Sequence, residues 1–157
     1  QYDGRSTNLC HRLNEKEIEQ VITDELTTNE NYKKELMNEA TENRNKTQDD
    51  YICSVCNSSI CIAQNGNVFP CAGWQNYILG NLSNNSLADI WYHSKKVHYL
   101  RNLKRKDLKK CNDCQQRDYC TICMVRNFNE SPTKDPLDIS KYFCKVAEIK
   151  KRLAEKE

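Results

Sequence analysis

Nine of the ten cysteines fall between Cys53 and Cys144, arranged as Cys53-x2-Cys56-x4-Cys61-x9-Cys71, then Cys111-x2-Cys114-x5-Cys120-x2-Cys123, then a lone Cys144. Two thiolates separated by two residues can reach one metal centre from a single turn, and repeated pairs let distant segments clip onto shared centres. Disulfides, zinc and iron-sulfur clusters compete as uses for so many cysteines. Disulfides rank last, because the two-residue spacing suits a common metal or a redox pair better than structural bridging. Spacing alone does not separate zinc from iron, since both accept four thiolates.

The composition makes staples necessary. Of 157 residues only 38% are hydrophobic and 29% are charged, with a mean hydropathy of -0.89. So little apolar surface offsets conformational entropy poorly unless covalent or metal cross-links assist. A net charge of +2, from 24 basic and 22 acidic residues, gives no general attraction for nucleic acid or an anionic membrane. The basic run Arg101 to Lys110 reads as a solvated helix face. No apolar run approaches the ~18 residues of a membrane span, and no basic leader with an apolar segment is read, so a cytoplasmic setting is expected. The chain opens on Gln1, which suggests a piece of something longer.

Residues 1–50 differ from the rest. Asn14 with Glu17 forms a capping-box pattern, and Ile18, Val21, Ile22 and Leu26 recur at helical spacing before a break at Thr27 to Asn29. A second helix is predicted through Tyr32, Leu36 and Ala40, and Glu42 to Asp50 reads as a linker. Cys10 reads as an incidental thiol. From Tyr51 the pattern turns to short strands: Ser59 to Ala63 and Asn67 to Pro70 flank Asn65-Gly66, a turn pair that tolerates positive φ. Trp74, Tyr77 and Ile78 read as core packing. Ser86-Leu87-Ala88-Asp89 opens a helix, a second carries Val97, Leu100 and Leu103, and a terminal helix starting near Ser140 carries Cys144. His93 and His98, five apart, are off the spacing that would put both on one helix face. Cys111 to Cys123 reads as a loop wrapped around metal.

Taken together, Cys56-x9-Gly66-x4-Cys71, the downstream Gly80-Asn81-Leu82 with Ser86-Leu87-x-Asp89-Ile90-Trp91, the quartet Cys111 to Cys123 and the late Cys144 resemble a SPASM domain, over about residues 51–150. That family forms the C-terminal extension of radical SAM enzymes that modify ribosomally made peptides and proteins. The resemblance implies two auxiliary [4Fe-4S] clusters with interleaved ligands. By position, one would take Cys53, Cys56, Cys71 and Cys123, and the other Cys111, Cys114, Cys120 and Cys144. Two features depart from the family pattern. Only Thr121 and Ile122 separate Cys120 from Cys123, against the usual three residues, and nine thiols stand where eight suffice. Cys61 is then the spare, with the alternative that it replaces Cys53 or Cys56.

The expected fold is α+β: a small, metal-stapled SPASM-like domain over 51–157 with a β-hairpin, short helices and cysteine-rich loops. A helical lead-in over 1–50 precedes it, read as the tail of a radical SAM partial barrel plus linker, with Gln1 to Cys10 as its last strand-loop. The implied function is the auxiliary-cluster part of a radical SAM/SPASM enzyme, supporting electron transfer and substrate binding. The Cys-x3-Cys-x2-Cys motif that serves S-adenosylmethionine cleavage does not occur in the sequence. S-adenosylmethionine and a third cluster would therefore belong to a longer parent, and this chain alone is not expected to be catalytic. The implied partners are a peptide or protein substrate, the upstream radical SAM domain and an electron donor or acceptor protein. Asp113 and Asp118 sit within the quartet, but no acid-base or nucleophilic pair stands out and no catalytic residue is assigned. Lys109, Lys110 and Arg117 flank the quartet and would raise a cluster's potential if they face it. The rival reading is a structural zinc module of an interaction protein.

Overall fold

The computed structural model describes residues 4, 5 and 7–156. Helix α1 (Glu15–Thr28) starts at Asn14, whose side chain accepts from the Lys16 and Glu17 amides while Glu17 reaches back to the Asn14 amide. Asn29 ends α1 and caps α2 (Glu30–Asn45) by accepting from the Tyr32 amide, so one residue provides the break. α2 runs to Asn45, which shortens the expected linker to the turn over 46–50. Thr7–His11 forms a 3-10 helix where a strand-loop was expected, while residues 1–3 and 6 of that stretch lie outside the described residues.

The hairpin is present. Strand β1 (Cys61–Ile62) pairs antiparallel with β2 (Asn67–Phe69), with Cys61 opposite Phe69. Gly66 sits at φ +80°, the left-handed region that the turn requires. A third strand, β3 (Gly80–Asn81), pairs with β2 and completes the sheet. Gly80 is needed for close approach, since a Cβ there would lie 2.8 Å from Ile90. The Asn81 amide donates to the Asn65 carbonyl at 3.2 Å and to the Asn67 side chain at 2.8 Å, tying β3 to the turn.

Helix α3 (Leu87–His93) is capped by Ser86, whose hydroxyl accepts from the Asp89 amide. α4 (Lys95–Asn102) follows directly and buries Val97 and Leu100. These meet Val68, Trp74, Leu79, Ile90 and Leu108 in the main core. Arg101 departs from the solvated reading of the basic run. It turns inward and donates to the Cys56 carbonyl at 2.7 Å and the Trp91 carbonyl at 3.0 Å. Short 3-10 turns carry the chain through Lys109–Cys111 and Arg117–Tyr119. Then come α5 (Met124–Glu130) and α6 (Lys141–Ala154).

The helical lead-in packs on the cysteine-rich part through two small apolar clusters. Ile18 and Ile22 of α1 meet Ile149 of α6, and Leu36 and Ala40 of α2 meet Tyr119. Polar contacts reinforce the second. The Asn43 amide donates to the Asp118 carbonyl at 3.0 Å, Arg44 pairs with the Asp118 carboxylate at 3.0 Å, and Arg117 donates to the Lys46 carbonyl at 3.0 Å. No helix among the described residues is long and apolar enough to cross a membrane.

Candidate cluster-binding site

Four of the cysteines line one cavity. Cys111, Cys114 and Cys120 reach it from the 3-10 turns and Cys144 from the first turn and a half of α6, around a volume of about 370 Å³. Ile122, Ile139 and Ala147 provide apolar wall, while Lys110, Arg117 and Lys141 place cationic side chains on its lining. The Cys120 thiol is pushed up to about 11, first by burial and then by repulsion from Cys111, Cys144 and Cys114. Burial is likewise the main cause that raises Cys111 and Cys144, with Cys114 adding to each. The thiols therefore sense one another across the cavity, and Cys111, Cys120 and Cys144 favour the protonated form until a metal replaces the proton.

A second set of thiols gathers beside the hairpin. Cys56 is fully buried and pushed up to about 11, mainly by burial, with Cys71 and Cys53 adding and Arg101 partly offsetting. Cys71 is raised by burial and by repulsion from Cys123, Cys53 and Cys61, while the Gly73 amide bonds its thiol and lowers it. Cys56 holds φ at 59°, a left-handed conformation that costs a non-glycine residue on the order of 1–2 kcal/mol. It is held there by its amide bonding the Ser59 carbonyl at 2.9 Å and by Arg101 on its own carbonyl. The two-residue Thr121-Ile122 link between Cys120 and Cys123 is fastened on both sides. The Thr121 hydroxyl donates to Glu39 of α2, and Arg126 of α5 donates to the Thr121 carbonyl.

Cys61 was read as a spare inside a strand. The register puts it opposite Phe69, and its charge acts on the Cys71 thiol, which makes it a fifth thiol on the edge of this set. Cys10 is exposed and far from both sets in the chain, bonded to the Thr7 carbonyl. His93 and His98 are exposed, and the His98 ring bonds the Tyr92 carbonyl at 2.7 Å. Asp113 is exposed, and Asp118 serves the α2 junction rather than the cavity. Lys110 and Arg117 line the cavity, with Lys110 also 3.4 Å from Asp138. Lys109 is exposed and is not part of the lining. Trp74 is fully buried, with ring centroids 5.0 Å from Tyr77 and 5.2 Å from Phe128, so the aromatic reading as core holds for Trp74 and Tyr77. Ile78 is exposed instead.

Among the described residues no three His, Cys, Asp or Glu side chains stand close enough to hold a single metal ion. Cys111, Cys114, Cys120 and Cys144 line a common volume of about 370 Å³. An all-thiol donor set, apolar walls and lining cations also suit a four-iron cluster, whose core plus thiolates is anionic. The site thus belongs to a small cysteine-rich α+β domain whose thiols gather in two sets. Residues 53–115 match the SPASM family, described as an iron-sulfur cluster-binding domain. This segment is thus similar to the SPASM iron-sulfur cluster-binding domain, the family its motifs suggested. No curated protein and no solved structure matches the chain. The family match ends at Gln115, so the positions of Cys120, Cys123 and Cys144 rest on the geometry described above.

Proposed function

We propose that the chain binds two auxiliary [4Fe-4S] clusters as part of a radical SAM/SPASM enzyme that modifies a ribosomally made peptide or protein. The observation that carries this reading is the cavity ringed by Cys111, Cys114, Cys120 and Cys144. One cluster belongs there, and the other belongs to Cys53, Cys56, Cys71 and Cys123. A bound four-iron cluster supplies one-electron redox capacity, tuned by burial, local charge and hydrogen bonds to sulfur. The residues of this chain supply those controls. Lys110, Arg117 and Lys141 offset negative charge at the cavity, and the Gly73 amide donates to the Cys71 thiol. The partner roles follow from this: an upstream radical SAM domain generates the radical, a peptide is the substrate, and surplus electrons leave through the clusters to a carrier. A structural zinc module is the less favoured reading, because the thiols surround a space larger than one ion fills.

Cys61 flanks the first set without completing it, so Cys61→Ser is expected to keep full iron content. A loss of about half the iron would move Cys61 into the ligand set. The enzymatic role is tested in a protein joining this chain to its radical SAM domain. There Cys120→Ala and Cys144→Ala are expected to leave reductive cleavage of S-adenosylmethionine within about twofold while peptide modification falls by about a hundredfold or more. Unchanged modification in both variants would contradict an auxiliary role.

A further inference from the structure

A second cleft, of about 240 Å³, is lined by residues from the lead-in, the loop after Cys71, α5 and α6. Arg5 and Arg12 line it from the lead-in, Arg126 and Glu130 from α5, Phe143 from α6, and Gly73 from the loop after Cys71. Arg5, Arg12 and Arg126 line it together with the carboxylate of Glu130. That carboxylate is already engaged, since Arg12 holds both oxygens of Glu130 in a fork, with one bond at 3.1 Å. Arg126 lies with its guanidinium carbon 4.0 Å from the Phe143 ring centroid, and Arg12 is 5.1 Å from the same ring. Two like charges are thus held near one aromatic ring, with Arg12 also 4.3 Å from the Tyr142 ring. Arg126 is half-buried, and its hydrogen bond goes to the Thr121 carbonyl, while its charge also acts on the Glu130 carboxyl that Arg12 already holds. An arginine offers five N–H donors and matches a carboxylate bidentately, so a half-buried one on a cleft wall with a single neutral acceptor is suited to an incoming anion.

The size and setting select the anion. The volume fits a side chain and a few neighbouring atoms, and Leu9, Val125 and the Phe143 ring give it apolar walls. A net charge of +2 over the chain argues against a polyanion such as nucleic acid. Gly73, which lines the cleft, is the residue whose amide bonds the Cys71 thiol, and α5 begins directly after Cys123. Whatever binds here passes beside the first thiol set.

We propose that this cleft anchors an acidic side chain of a peptide, its carboxylate paired with Arg126 and flanked by Arg12 and Arg5. The proposal rests on reading the chain as a peptide-handling module, and it names the chemistry by which a substrate would be held next to the first cluster.

The test uses the full chain, purified anaerobically with its iron, and two fluorescein-labelled pentapeptides, Gly-Ala-Glu-Ala-Gly and Gly-Ala-Gln-Ala-Gly, each acetylated and amidated at its free ends. In fluorescence anisotropy the glutamate peptide is expected to bind about tenfold or more tightly than the glutamine peptide, the discrimination a bidentate charged pair provides. Arg126→Gln is expected to erase that difference, and Arg126→Lys, which keeps a donor for the Thr121 carbonyl, to retain part of it, with iron content and melting temperature measured on each variant. Should Arg126→Gln melt lower, Arg5→Gln at an exposed position replaces it, with an expected severalfold loss. Equal binding of the two peptides, retention of the preference in Arg126→Gln, or free acetate binding as tightly as the glutamate peptide overturns the proposal. A chain that prefers the glutamate peptide yet takes up no iron supports the cleft and removes the cluster reading. A chain with full iron and no preference does the reverse.

Discussion

Replacing Cys144 by alanine is expected to remove about half of the iron and about half of the visible charge-transfer absorbance, leaving the other half in place. The two thiol sets share no member, so removing one ligand strips one centre. Cys144 is also the thiol whose loss should disturb folding least. It lies on an exposed turn of α6, whose attachment is made elsewhere by Ile149 against Ile18 and Ile22. Iron analysis beside a thermal melt reads both effects. Loss of no iron would remove Cys144 from the cavity's ligands, and loss of all of it would mean that the two centres are not independent.

Stripping the clusters with a chelator under reducing conditions is expected to loosen two separated segments at once. The turns over 109–123 are short 3-10 pieces with few buried side chains, Leu108 and Tyr119 being the nearest. The loop over 51–59 holds Cys56 in a strained left-handed conformation. The 109–123 turns bury little apolar surface and the 51–59 loop carries that strain despite burying Ile52 and Val55, so on the proposed reading bound clusters would hold both in place. Cys123 returns to the hairpin side and couples the two. Amide hydrogen exchange should therefore speed up by about tenfold or more in both segments, corresponding to ~1.4 kcal/mol or more of lost local stability. Amides of α1 near Ile18 and Ile22, and of α6 near Ile149, should change little, because that cluster involves no cysteine. Unchanged exchange at Cys111 to Cys123 would mean that the loop is ordered by packing rather than by metal.

Much of this was legible in the chain where one local interaction decides the outcome. Asn14 with Glu17 and Ser86 with Asp89 carry their caps in sequence, Asn65-Gly66 carries its turn, and the apolar stripe of α6 carries its helix. The motif spacing likewise anticipated the SPASM family match over 53–115. What escaped depends on tertiary partners. α5 has seven residues and no side-chain cap, and it is set by Phe128 meeting Trp74 and Tyr77. β3 has two residues and exists because β2 offers an edge. The expected strand-loop before Cys10 became a 3-10 helix, so the lead-in gives no local sign of a barrel strand over 7–11. Asp118 was given no role from the sequence, and folding makes it hold Arg44 of α2, a partner 74 residues away. The arginine cleft was invisible for the same reason. Arg12 and Arg126 have no local pattern in common, and only folding brings both onto Phe143.

The measurement that bears most directly on the central claim is the iron, acid-labile sulfide and zinc content per chain of anaerobically purified protein, taken with its visible spectrum. Two four-iron clusters predict about eight iron and about eight sulfide per chain with a broad charge-transfer band. Zinc near two per chain, with no sulfide and no visible absorbance after anaerobic reconstitution with iron and sulfide, would contradict it.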